Sequence, residues 1–193
     1  MIKSTLKMII RKALKEDAKS ISPLLMLASG EVMCKFIGEQ NPTKAEEFLY
    51  TFVKSEQNQY SYTNCYVAVE EDVIIGTILI YDGARLDELR KPVLDHIHAN
   101  FDPELYVEDE TQAGEYYIDS IGVSPLHQGK GVGSQLLQLV IQEKLISKGQ
   151  IMGLLVDKRN PSAKKLYLRL GFKPVGEKTL LGLSLAHLQL KKS

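Results

Sequence analysis

A short run of alternating glycines is the part of the sequence whose residue types most clearly suggest chemistry. Residues 127–137 read HQGKGVGSQLL, with an apolar helical pattern after Gly133. Glycine is costly inside regular structure, so repeated glycines indicate a turn or a backbone that a ligand approaches closely. A helix N-terminus offers unpaired N–H groups and a favourable dipole to an anion. A strand before this run and a helix after it therefore predict a phosphate site.

Spacing excludes two common phosphate loops. A Walker A loop requires a glycine five positions before its Gly-Lys pair and a Ser or Thr after the lysine. Here position 124 is Ser124, and Lys130 is followed by Gly131. A GxGxxG dinucleotide loop requires a glycine at the position of Ser134. The nucleotide-triphosphate and dinucleotide interpretations therefore both fail.

A third loop type fits the spacing. Residues 128–133 have the form Q/R-x-x-G-x-G/A, which resembles the coenzyme A pyrophosphate loop of the GNAT superfamily of N-acetyltransferases. The strand YYIDSIGVSP precedes the loop, as that family's fourth strand does. The segment NPSAKKLYLRLGF at 160–172 is similar to its N-x-x-A-x-x-x-Y-x-x-x-G-F signature. The resemblance covers residues 115–173 and is generic over residues 6–83.

The resemblance implies acetyl-CoA as a co-substrate, without a metal. Backbone N–H groups of the glycine loop would hold the pyrophosphate, and the strand before it would bind the pantetheine arm through its backbone. Asn160 is a helix cap by its own chemistry, and the family's asparagine also contacts the cofactor arm. The cofactor-binding residues so implied are Ile121, Gly122, Val123, Gln128, Gly129, Lys130, Gly131, Val132, Gly133, Ser134, Asn160 and Tyr167.

The catalytic hypothesis requires an acid and a base, for which Tyr167 and Asp119 are the first candidates. Tyr167 stands where the family places its general acid, and a phenol can protonate a departing thiolate. A tyrosine on an apolar helical stripe is also an ordinary core residue, so both interpretations stay open. Many family members carry a glutamate where this chain has Tyr117, which leaves Asp119 or Glu115 as the candidate base.

Strand alternation fixes how those residues are expected to point. A regular strand over 115–123 places Glu115, Tyr117, Asp119, Ile121 and Val123 on one side of the sheet. Gly122 is compatible with a bulge.

The remaining pattern predicts one mixed α/β domain over residues 1–193. Its central sheet is expected to be mostly antiparallel, with helices on both faces, and the resemblance adds splayed central strands. Strands are predicted at 6–11, 65–70, 73–81, 115–123, 150–157 and 183–190, and helices at 16–29, 41–56, 133–148 and 160–172.

An acidic segment at about 82–114 interrupts this pattern and has no counterpart in the family. The segment from Asp82 to Glu115 contains ten acidic residues and three basic ones. Charge runs usually face water, so a solvated insertion is favoured over a substrate-binding role. His96 and His98 within it do not define a metal site.

Composition bounds the classes of partner. The 193 residues carry 24 basic and 24 acidic side chains, which argues against a general nucleic-acid binder. The chain has no apolar run of membrane-spanning length. Cys34 and Cys65 form no disulfide framework and are expected to be buried. We expect a cytoplasmic protein whose oligomeric state, a homodimer included, is open.

These observations predict acetyl transfer from acetyl-CoA to a primary amine of a small molecule or peptide, by direct attack in a ternary complex. The acidic segment would attract a cationic amine. A non-catalytic acyl-CoA-binding or sensing domain is one alternative. A protein N-terminal or lysine acetyltransferase is the other, because fold alone does not select the acceptor.

Overall fold

One seven-stranded sheet organises the chain, and the computed structural model describes residues 8–192. The strands are β1 (Ile9–Lys12), β2 (Cys65–Glu70), β3 (Val73–Asp82), β4 (Glu115–Val123), β5 (Ile151–Asp157), β6 (Lys173–Leu180) and β7 (Leu183–Leu190). They lie in the order β1-β2-β3-β4-β5-β7-β6, and β4 and β5 form the parallel pair. This mixed, mostly antiparallel sheet confirms the predicted fold class.

Five helices cover the described part of the sheet. They are α1 (Ala18–Phe36), α2 (Pro42–Val53), α3 (Leu86–Asn100), α4 (Val132–Val140) and α5 (Pro161–Arg169), and α4 continues as a π-helix over Ile141–Ile146. The side chains of Asn41 and Asn160 cap α2 and α5 by accepting the backbone N–H three residues later. A proline follows each cap at the first helical position, which favours the helix start.

The two faces of the sheet have separate apolar cores. Helices α1, α2 and α3 pack on one face around Leu25, Leu49 and Val93. Helices α4 and α5 pack on the other face around Leu136 and Tyr167. None of the helices within residues 8–192 is long and apolar enough to cross a membrane.

Several predicted bounds were wrong in informative ways. Helix α1 runs on through Gly30 to Phe36, because Met33, Cys34 and Phe36 bury their side chains in the core. Strand β6 was missed, since most of its residues are exposed and it is an edge strand. Of the predicted first strand at 6–11, positions 6 and 7 lie outside the described residues.

The acidic segment is only partly solvated, so the expectation of a surface insertion was wrong for its inner residues. It joins β3 to β4 and contains α3, and Arg90, Glu110 and Thr111 in it are each at most 5% exposed. Arg90 Nη2 donates to Glu110 Oε2 in a buried ion pair. Charges enter a protein interior when they are paired and hydrogen-bonded, and this pairing was not visible in the charge count.

Gly122 lets α1 lie directly against β4. A Cβ at this position would stand 2.0 Å from the carbonyl oxygen of Leu24. We expect Gly122→Ala to lower the free energy of unfolding by about 3 kcal/mol, because a backbone clash forces α1 away from the sheet. Urea unfolding measures this loss. Gly176→Ala is the matched control, since a Cβ there meets nothing within 4 Å; equal effects of the two changes would contradict the account.

Candidate active site

The two central strands separate halfway along their length. Pairing between β4 and β5 runs from Glu115 opposite Ile151 to Ile118 opposite Leu154 and then stops. Both strands continue, β4 to Val123 and β5 to Asp157. Parallel neighbours that separate leave backbone N–H and C=O groups without their ladder partners. The gap can therefore take an extended ligand that hydrogen-bonds like a strand.

A bulge at Asp119 sits where the gap begins. Opposite β3, Leu79 pairs with Ser120 and Ile80 pairs with Ile118, so Asp119 is the extra residue. The predicted alternation is therefore wrong beyond Asp119, and so is the placement of a bulge at Gly122. Ile121 and Val123 turn their side chains toward the α4 side, while Asp119 and Ser120 line a cavity on the α1 side.

The two candidate catalytic residues lie on opposite faces of the sheet. Tyr167 belongs to the apolar cluster that includes Leu154 and Val156 of β5. Asp119 shares its cavity with Leu155 and Asp157. These two residues of β5 alternate with Leu154 and Val156, so their side chains point to the opposite face of the sheet. A thioester lying in the gap would thus be flanked by a carboxyl group on one face and a phenol on the other.

Tyr167 is a buried phenol. It is 7% exposed, and its ring packs edge-on against Phe172 with centroids 5.9 Å apart. Burial raises the pKa of Tyr167 to about 12. The hydroxyl therefore stays protonated at neutral pH and can donate a hydrogen bond to an anion.

The glycine loop has an open backbone at the start of α4. Gly129 and Gly131 have φ of 74° and 87°, in the left-handed region that favours glycine. No side chain caps this helix start, so the first N–H groups of α4, from Val132 to Ser134, point outward unpaired by the helix itself. A Cβ on Gly129 would meet nothing within 4 Å. This arrangement fits a pyrophosphate.

Other loop residues are engaged differently. Gln128 Nε2 donates to the carbonyl oxygen of Val123 at 3.1 Å and so holds the loop against the end of β4. Lys130 lies within the loop and is exposed. Asn160 Oδ1 accepts the N–H of Ala163 at 3.0 Å, which accounts for its role as a cap. The contact of these side chains with coenzyme A stays a prediction.

A cavity of about 150 Å³ lies over the gap on the α1 side. Four acidic side chains and no basic one line it, namely Glu31, Glu110, Asp119 and Asp157. Its other walls are mainly apolar and come from α1, β5 and the β6–β7 hairpin, with Phe36, Leu155 and Leu185 among them. The lining favours a small cation.

Three of those four carboxylates have cationic partners. The exposed Arg159 contacts Glu31 at 2.8 Å and Asp157 at 2.6 Å, and Arg90 pairs with Glu110. Within the described residues, Asp119 is the cavity carboxyl that has no ion-pair partner. It is therefore the carboxyl group that is free to accept a proton.

The surroundings of Asp119 favour its protonated form. Burial, followed by the charge of Glu110, raises the pKa of Asp119 to about 7. Ser120 Oγ donates to Asp119 Oδ1 at 2.8 Å, and the Tyr81 hydroxyl lies 3.2 Å from Oδ2. A general base is most effective when its pKa is near the working pH.

Glu115, the other candidate base, is fully occupied elsewhere. Its carboxylate binds Thr111 Oγ1 at 2.7 Å, His187 Nε2 at 2.9 Å and Gln189 Nε2 at 2.8 Å. It is 3% exposed and does not line the cavity. Glu115 therefore anchors the end of the acidic segment to the sheet.

A second and larger depression lies outside this arrangement. A groove of about 1100 Å³ runs between α1 and α2 and shares only Glu31 with the cavity. None of its lining residues comes from β4 or β5.

The histidines of the acidic segment have structural partners. His96 packs among the rings of Phe48, Phe52 and Phe101, and His98 Nε2 lies 2.9 Å from the carbonyl oxygen of Leu105. Between residues 8 and 192, no cluster of three or more His, Cys, Asp or Glu side chains is arranged to hold a metal ion.

Comparison with known proteins decides the family. The profile of the acetyltransferase (GNAT) family matches residues 31–172, which is most of the chain. This chain is a member of the GNAT family. The GNAT match contains the bulge at Asp119, the glycine loop and Tyr167.

Individual relatives agree with this assignment. N-alpha-acetyltransferase RimI of Mycobacterium tuberculosis is 37% identical over 62 residues, which is 32% of this chain and 37% of that protein. An N-acetyltransferase from Staphylococcus aureus Mu50 has the same fold, with a TM-score of 0.79 and 20% identity over 94% of this chain and all of that one. A solved acetyltransferase superposes with a TM-score of 0.75 and 27% identity, over 95% and 98% of the two chains.

The GNAT resemblance did not reveal two polar residues at the site. Glu110 and Tyr81 stand beside Asp119, and they come from the acidic segment and from β3. Tyr81 is part of an ordinary strand pattern, and Glu110 is one of many acidic residues in its segment. Only the tertiary structure separates them from their neighbours.

Proposed function

We propose that the chain transfers an acetyl group from acetyl-CoA to the primary amine of a small cationic acceptor, by direct attack in a ternary complex. The observation that carries this proposal is the acidic cavity over the gap between β4 and β5. Bound acetyl-CoA supplies the activated acetyl thioester. The glycine loop would hold its pyrophosphate, and the open edges of β4 and β5 would hold its arm.

Each residue then has a distinct chemical task. Asp119 accepts a proton from the ammonium group of the acceptor, which frees the lone pair that attacks the thioester carbonyl. An N–H group in the separated part of β4, near Ile121, donates to the carbonyl oxygen as it becomes negative. Tyr167 donates to the departing sulfur from the other face. No covalent acetyl-enzyme is required, and both cysteines are buried.

The size of the cavity limits the reacting part of the acceptor. A volume of about 150 Å³ is small for a ligand pocket, since such pockets usually measure about 300–1,000 Å³. It fits a short amine or a single amino-terminated side chain, and it does not fit a folded segment. Two arginines pair with three of the four carboxyl groups, so an excess of negative charge remains and favours an acceptor that carries positive charge.

A peptide acceptor is the second candidate. The groove between α1 and α2 could hold a chain whose amine enters the cavity past Glu31, and Glu46 and Glu47 would give its rim negative charge. The partial match to an N-alpha-acetyltransferase supports this alternative. The groove does not reach β4 or β5, so the small acceptor is the one that the geometry favours.

A thiol-release screen tests the proposal. Acetyl-CoA is mixed with short mono- and diamines, with peptides that have a free N-terminus and with peptides that have an internal lysine. Mass spectrometry then identifies the acetylated product. We expect turnover with short cationic amines; turnover confined to peptides would support the second candidate. Binding of acetyl-CoA without thiol release across the panel would show a non-catalytic sensor.

Removal of the Tyr167 hydroxyl tests its task. We expect Tyr167→Phe to lower kcat roughly 10- to 100-fold, because the leaving thiolate loses its hydrogen-bond donor. The KM for acetyl-CoA should change less than about twofold, since the ring keeps its packing. Steady-state kinetics at pH 8 measures both constants. An unchanged kcat would make Tyr167 a core residue.

A further inference from the structure

Glu110 is the acidic segment's contribution to the interior of the site. It is 4% exposed and lines the cavity. Arg90 Nη2 donates to its Oε2, while Gln59 Nε2 at 3.0 Å and the Tyr81 hydroxyl at 2.8 Å donate to its Oε1. One cation and two further donors therefore hold the Glu110 carboxyl group in place, with Tyr81 between it and Asp119.

Tyr81 connects the two carboxyl groups. Its hydroxyl oxygen lies 2.8 Å from Glu110 Oε1 and 3.2 Å from Asp119 Oδ2. The hydroxyl has a single hydrogen, so it donates to one carboxylate at a time. While the Tyr81 hydroxyl donates to Glu110, its contact with Asp119 is a hydrogen bond only if Asp119 is protonated and donates to the hydroxyl oxygen. When Asp119 is ionised, Tyr81 can turn its hydrogen toward Asp119 instead.

We infer that Glu110, acting through Tyr81, is a positioning residue that controls whether Asp119 holds or accepts a proton, and so sets the pH range of the reaction. The inference rests on the proposed function for its catalytic meaning. The proton moves from the ammonium nitrogen of the acceptor to Asp119 Oδ2. The products of that step are a neutral amine and a protonated carboxyl group, which later returns its proton to solvent.

The other groups near Asp119 do not replace Glu110 in this task. Burial raises the pKa values of Tyr60, Tyr81 and Tyr117 well above their ordinary value, so these phenols stay neutral. Arg90 is bound to Glu110, while Glu31 and Asp157 are bound to Arg159. Glu110 is thus the charged group that is linked to Asp119 through one bridging hydroxyl, that of Tyr81. The pKa of Asp119, raised to about 7, agrees with this arrangement.

Two variants show whether Glu110 controls the proton of Asp119 or only holds the acidic segment in place through Arg90. Glu110→Gln removes the charge, so the titration midpoint of Asp119 should fall by about one pH unit. Tyr81→Phe keeps every charge but removes the oxygen that accepts the proton of neutral Asp119, so the midpoint should also fall. Glu108→Gln is the matched control, because Glu108 belongs to the same segment but accepts the N–H of Leu181 outside the cavity. It should leave the midpoint unchanged.

The experiment is an NMR titration of the Asp119 carboxyl carbon, assigned with Asp119→Asn, alongside the pH profile of kcat/KM. Lowered midpoints in both variants support the inference, and the acid limb of the profile should follow them. An unchanged midpoint in Glu110→Gln would overturn it and make Glu110 an anchor. If Glu110→Gln does not fold, Tyr81→Phe decides, since an unchanged or raised midpoint there contradicts the link. The titration needs no acceptor, so shifted midpoints without turnover would reject the proposed function alone.

Discussion

Asp119→Asn should lower kcat/KM by roughly 100- to 1000-fold at pH 7, which is within the usual contribution of a general base. An amide has nearly the shape of the carboxyl group but does not accept the proton of the ammonium group. The loss should shrink at high pH, where the acceptor loses its proton to solvent. A pH profile of kcat/KM from pH 6 to 10 measures this effect.

The stability of the same variant provides its control. The pKa of Asp119 is raised from an ordinary value of about 4 to about 7 in the folded protein. Between these values the unfolded chain loses its proton while the folded chain keeps it, so Asp119 reduces stability as pH rises. We therefore expect Asp119→Asn to be more stable than the wild type at pH 8 and nearly equal to it at pH 4. A variant that is inactive because it is unfolded would be less stable than the wild type at both pH values.

Gly131→Val should weaken acetyl-CoA binding at least about 100-fold, equivalent to losing about two hydrogen bonds to a charged group. Gly131 caps α4 with a φ of 87°, which a β-branched residue does not adopt without strain. A bulky side chain there also fills the space above the N–H groups of the helix start. Calorimetric titration with acetyl-CoA gives the dissociation constant.

Gly149→Val is the control for that strain. Gly149 also has a positive φ, of 68°, and a Cβ there meets nothing within 4 Å. It follows the π-helix and takes no part in the glycine loop. Both variants should lose stability by about 1–3 kcal/mol, but only Gly131→Val should lose affinity. Wild-type affinity in Gly131→Val would show that the pyrophosphate binds elsewhere.

The sequence predicted the parts of the site that depend on local chemistry. The Asn-Pro starts of α2 and α5 and the bounds of β4 from Glu115 to Val123 follow from capping, fixed proline geometry and β-branched residues. The glycine loop was recognised because its Q/R-x-x-G-x-G/A spacing and the segments on either side resemble those of the GNAT family, and its binding of the pyrophosphate stays a prediction. These signals operate over a few neighbouring residues.

The parts that were missed depend on contacts between distant segments. Nothing near Asp119 in the sequence marks it as a bulge, yet the bulge decides which side chains reach the cavity. Arg90 and Glu110 are twenty residues apart and look like solvated charges until the fold pairs them. Strand β6 has little apolar alternation. It lies at the edge of the sheet, pairs with β7 alone and leaves most of its side chains exposed.

The most direct test of the account is a crystal structure of the complex with acetyl-CoA. We expect the pyrophosphate on the N–H groups of residues 129–134, the arm between the separated ends of β4 and β5, and the acetyl carbon facing Asp119. The sulfur should face Tyr167. An acetyl group placed in the groove between α1 and α2, or a pyrophosphate away from the glycine loop, would contradict it.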